Sequence, residues 1–195
     1  PERRVDQLRA FWEMVSAGTA GWPGWLPDIF HVDDLRGAAN QMAAGDALMR
    51  GVPGFFTPRF PPPPFQPHGT PDAISWYDTA PLKATLERLV DFDRINAGAM
   101  RFSVGAVDIR SGNFSYFDNA SQTIRAEHVM ASGALPPAFP PVEIDGEHYW
   151  DGGMVSNTPL DWVLSAHSDL DTLILQVDLW SASGVLPRDL ASVGV

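Results

Sequence analysis

The chain has 195 residues, enough for one domain or most of one, with a sizeable core. A formal net charge of −11 argues against a nucleic-acid partner, because a phosphate backbone would repel such a surface. With no cysteine, disulfides and thiolate metal sites are excluded.

An apolar share of 45% and a charged share of 19% are those of a globular chain. No secretory signal opens the given sequence, and no apolar run approaches the roughly 20 residues of a membrane span. The expectation is a cytoplasmic protein, membrane-associated at most peripherally, with neither metal nor cofactor.

In chain order, Val5, Leu8, Phe11, Trp12 and Val15 recur at helical spacing, and Gly18 stops that helix. Trp22-Pro23-Gly24-Trp25-Leu26-Pro27 reads as a rigid aromatic loop. Asp33-Asp34 opens a second helix to about Met49, carrying Leu35, Ala38, Met42 and Leu48. Residues 51–71 are too rich in proline for helix or central strand. They read as an extended surface loop or linker. They also fit a cap whose Phe55, Phe56, Phe60 and Phe65 cover an apolar site or touch a membrane.

Asp78-Thr79-Ala80-Pro81 is a helix entry with Thr79 as its cap, followed by Leu82, Leu86, Leu89 and Val90 on one side. Residues 100–109 predict a strand, Ser111-Gly112-Asn113 a turn, and 114–117 the partner strand. A short helix follows over 126–132. Residues 142–150 form a second hairpin turning at Asp145-Gly146. Asn157-Thr158-Pro159 enters a helix through Leu160, Trp162, Val163 and Leu164. The apolar run 172–177 predicts a strand buried on both faces. Alternating helices and strands predict an α/β layered domain over 1–195.

One carboxylate stands out. Asp151 ends the second hairpin and is followed by Gly152 and Gly153. Glycines there permit positive φ and let another backbone or a ligand come close. A carboxylate so placed can take a proton from a hydroxyl within hydrogen-bond reach. Taken alone, Asp-Gly after a strand is also an ordinary turn.

Other candidates are weaker. Ser132 in Ala-Ser-Gly is a helix-end cap or packing residue before it is a nucleophile. His31, His68, His128, His148 and His167 show no metal spacing. A triad of Ser132 and Asp151 with His128 or His148 has little support. Asp33, Asp34, Asp169 and Asp171 read as helix caps and solvated surface rather than metal ligands.

Several segments taken together resemble the patatin-like phospholipase family. They are Ala131-Ser132-Gly133-Ala134-Leu135-Pro136, Phe139-Pro140-Pro141, the second hairpin, Asp151-Gly152-Gly153 and Asn157-Thr158-Pro159. The likeness runs over residues 100–177 and more loosely before them. It implies an α/β, three-layer sheet with helices on both faces, incomplete at its N-terminal side. It also implies a serine–aspartate dyad acting on lipid or other acyl esters, with Asp151 as the base on the turn that Gly152 and Gly153 present. The family's nucleophile sits in Gly-x-Ser-x-Gly, and a glycine-rich loop holds the oxyanion. Neither occurs in these 195 residues.

The sequence is therefore expected to be the C-terminal portion of a longer hydrolase. That portion would be inactive and marginally stable alone; Leu175 to Leu190 resembles a bacterial branch of the family, and a C-terminal extension would start at 178. The expected partners are a lipid or acyl-ester substrate and a peripherally contacted membrane. The alternative is a non-catalytic lipid- or protein-binding member of the fold.

Overall fold

The computed structural model describes residues 3–16, 33–165 and 173–177. The helix stop at Gly18, the aromatic loop at 22–27, His31, His167, Asp169, Asp171 and the extension from 178 lie outside them. The chain divides into two units, 1–157 and 158–195.

In the first unit, two helices lead: α1 (Arg3–Ser16) and α2 (Asp33–Arg50). The N–H of Gly51 donates to the Ala47 carbonyl, and its φ of +83° ends α2 in the left-handed conformation glycine tolerates. The expected apolar stripe of α1 is not a buried face. Val5, Leu8 and Trp12 are exposed, while Phe11, Met14 and Val15 are half-buried. Met14 fixes this choice: a Cβ at Gly54 would stand 2.5 Å from its sulfur. Periodicity identified the helix, but its neighbours chose which residues it buries.

The proline-rich segment is a structured strap. Its strand β1 (Thr57–Pro58) pairs antiparallel with β2 (Tyr77–Asp78), and short 3-10 turns at Pro63–Phe65 and Pro71–Ala73 lie between. Arg59 anchors it, donating to Ser75 at 3.0 Å and pairing with Asp72. The N–H groups of Trp76 and Tyr77 donate to the carbonyls of Pro137 and Ala138.

Helix α3 (Ala80–Leu89) follows. Its cap differs from expectation: Asp78 Oδ1, not the Thr79 hydroxyl, accepts from the Ala80 N–H at 2.9 Å. Thr79 is buried instead. A helix that the pattern did not predict, α4 (Phe92–Asn96), begins where Asp91 Oδ1 accepts from the Arg94 N–H at 2.9 Å.

The main sheet is antiparallel, in the order β4 (Phe114–Asp118), β3 (Ser103–Asp108), β6 (Glu147–Asp151), β5 (Val142–Ile144). Both predicted hairpins are present. The β5–β6 turn takes positive φ at Asp145 (52°) and Gly146 (89°), as a tight two-residue hairpin requires. Helix α5 (Ala126–Ser132) packs on the sheet through Ala126, His128 and Ala131. Ala106, Phe117, Ile124 and Ile144 complete the core beneath it. Helices mixed with antiparallel sheet form an α/β arrangement.

In the second unit, the expected helix is present as α6 (Leu160–Ser165). The expected buried strand is not. Residues 173–177 carry no regular structure, and Leu173, Leu175 and Val177 are each at least 80% exposed. An apolar run becomes a central strand only where neighbouring strands complete its ladder. Among the described residues, no helix is long and apolar enough to cross a membrane.

Candidate active site

Asp151 is the last residue of β6, opposite Ala106 of β3. Its N–H donates to the Ala134 carbonyl at 3.0 Å, tying it to the segment after α5. Its Oδ1 accepts from the Gly153 N–H at 2.7 Å. One carboxylate oxygen is thus committed to the turn. Among the described residues Oδ2 accepts no hydrogen bond.

The glycines act through space rather than through φ. Neither Gly152 nor Gly153 has a positive φ, which corrects half of the sequence argument. A Cβ at Gly152 would stand 2.5 Å from the Gly105 carbonyl oxygen, so only glycine lets the turn lie on β3. A Cβ at Gly153 would collide with the Asn157 side chain. Gly105 is itself required, because a Cβ there would strike the Phe114 ring. Sequence reasoning missed Gly105, although a glycine inside a strand pattern signals a close approach.

Beside this turn lies an apolar cavity of about 260 Å³. Ala134, whose carbonyl holds Asp151, lines it together with Gly133, Met130, Phe55 and Phe139. Phe11, Val129 and, from α3, Leu82 and Leu86 contribute further wall, and Thr79 is the polar side chain in the lining. Lys83 of α3 pairs with Glu127 of α5 at 2.7 Å, clamping the two helices that flank the cavity. The hydrogen bond between them, with their charge attraction, raises the lysine pKa and lowers that of the glutamate.

The histidine candidates fall elsewhere. His128 is fully buried beside the Phe117 ring, and its Nδ1 accepts from the Arg125 N–H at 2.9 Å. Burial, then the nearby Arg125 charge, pushes its pKa down, so it is a neutral core imidazole with the proton on Nε2. His148 is exposed on β6, and strand alternation sends it to the face opposite Asp151. Ser132, half-buried at the end of α5, makes no hydrogen bond to Asp151 or an imidazole among the described residues. No triad is assembled from these groups.

The family model of the patatin-like phospholipases matches residues 1–164, most of the chain. The chain belongs to the patatin-like phospholipase family. That membership gives the turn, the cavity and the strap a common frame, that of a lipid hydrolase family. No curated protein matches the chain.

Proposed function

We propose that this patatin-like chain supplies the base half of a serine–aspartate dyad in a carboxylic ester hydrolase acting on phospholipid or a related lipid ester. The observation that supports it is the Asp151 carboxylate. One oxygen is pinned by the Gly153 N–H, the other accepts no hydrogen bond among the described residues, and the turn hangs from the wall of an apolar cavity.

In this reading Oδ2 takes the proton of a serine hydroxyl as the serine oxygen attacks the ester carbonyl carbon. The proton passes to the departing alcohol, and water then releases the acyl group from the serine. The pinned Oδ1 keeps the carboxylate from rotating, which preserves its alignment through both halves of the cycle. The cavity accepts the acyl chain, since its walls offer alkyl and aromatic contact. The 195 residues contain no Gly-x-Ser-x-Gly, so this reading takes the nucleophile and the oxyanion donors from residues outside them. Residues 1–195 alone would not turn over an ester. The substrate lies in a lipid surface that the protein meets peripherally from the cytoplasmic side.

The test is Asp151→Ala in the full-length protein with a chromogenic acyl ester. Turnover is expected to fall about 10⁴-fold, the scale seen when a member of a hydrolytic triad is removed. Turnover within tenfold of the parent would remove Asp151 from the chemistry. A coding sequence with no serine elbow upstream would favour a non-catalytic lipid- or protein-binding member of the family.

A further inference from the structure

The strap separates its aromatic residues by face. Phe56 is buried against Tyr77 and Phe139, and Phe55 lines the cavity. Phe60 and Phe65, in contrast, are 94% and 77% exposed. Trp76 is exposed as well, and its carbonyl accepts from the Arg59 N–H next to Phe60 in the chain. Two large rings in water are unfavourable unless something covers them.

The charge pattern narrows what that is. Between residues 51 and 71 the sole charged side chain is Arg59, on a chain of net charge −11. That arginine is neutralised by Asp72. The outer strap is therefore an uncharged aromatic patch on an acidic protein. Anionic lipid would repel the rest of the molecule, whereas a zwitterionic surface carries no such penalty. Phe and Trp settle at the boundary between headgroups and acyl chains. Proline and the Arg59 anchor hold the rings in place beforehand, so insertion costs little ordering entropy.

We propose that the strap docks the protein on a neutral, zwitterionic lipid surface by inserting Phe60 and Phe65. The docking rests on the lipid-hydrolase reading only for its purpose: the inserted strap carries the cavity wall at Phe55 to the interface from which substrate is drawn.

The experiment measures binding of the full-length protein to phosphatidylcholine vesicles by flotation, separately from turnover. Phe60→Ala/Phe65→Ala is expected to weaken binding at least tenfold. Phe60→Trp/Phe65→Trp should restore it, and turnover of a water-soluble ester should stay unchanged. Both positions are exposed, so unchanged melting of the double variant certifies its fold. Asp151→Ala should bind vesicles like the parent. If that variant kept its activity, the catalytic reading would fail while the docking stood. Equal vesicle binding by parent and double alanine variant would overturn the proposal. So would binding that requires anionic lipid. A parent dimer that the alanine variant converts to monomer would overturn it too, assigning the patch to a second copy.

Discussion

Gly152 holds its turn in place by lacking a side chain, whereas the strap at 51–77 is held by having them. At the turn, the chain lies on the Gly105 carbonyl because no Cβ intervenes, and two backbone N–H groups then fix Asp151 on either side. In the strap, proline removes many backbone donors, so rings and one arginine reinforce the short β1–β2 pairing. The difference shows how one molecule can hold a reacting group rigidly while presenting a stiff, greasy surface a short distance away. Rigidity by absence fixes a position to fractions of an ångström. Rigidity by packing leaves an outer face free for other uses.

Removing the ring on which the strap leans is expected to have the largest effect. Phe139 touches Phe55, Phe56 and Tyr77, so Phe139→Ala should cost about 3 kcal/mol in urea unfolding of the full-length protein. Phe65→Ala, in the same strap but exposed, should change stability by less than about 0.5 kcal/mol. Equal costs would erase the distinction between the two faces of the strap.

The turn gives the next effect. Gly152→Ala should cost about 2 kcal/mol, because its methyl meets backbone that cannot retreat. Gly153→Ala should cost under about 1 kcal/mol, because the Asn157 side chain it meets is exposed and can swing away. Reversal of that order, read from denaturation midpoints, would mean that the turn does not rest on β3.

The smallest effect concerns the ionic anchors. Asp118 is buried, and burial alone would raise its pKa. Hydrogen bonds from Ser103, the Ala120 N–H and Arg101 outweigh that and hold it below the usual carboxylate value. A carboxyl lowered on folding contributes stability that is complete above its unfolded pKa. That stability is lost as pH falls through the folded value. Asp118→Asn should therefore flatten the acid side of the stability profile and cost about 1.5 kcal/mol at neutral pH. Asp72→Asn, whose carboxylate is half-exposed beside Arg59, should shift the thermal midpoint less. A larger loss at Asp72 would make the strap, not the sheet, the ion-dependent part.

Much of the framework was legible because it is local. Asp145-Gly146 specifies a tight hairpin through the φ values it tolerates, and the pattern at 126–132 fixes α5 within the bounds observed. Asp151 was legible as a candidate because a strand, a carboxylate and two glycines adjoin in the chain. The reason for Gly152 was not, since its partner Gly105 lies 47 positions earlier and no local rule links them. His128 offered only a weakly supported triad role by residue type, and burial beside Phe117 makes it core. The stripe on α1 and the described part of the apolar run, 173–177, failed for the same reason. An apolar pattern states what a segment prefers to bury, not whether a neighbour is there to bury it.

By itself, then, the sequence determined where the chain turns, which stretches coil or extend, and which carboxylate merits a role. Backbone φ preferences, proline's missing donor and glycine's missing Cβ act over a few residues and are written in the chain. Tertiary structure alone decided that Gly152 rests on Gly105, and that the strap faces a cavity with Phe55 and water with Phe60. It also decided that, among the described residues, one Asp151 oxygen is engaged by the turn and the other is not. Each of these depends on distances between segments far apart in sequence, and such distances exist only once the chain has packed.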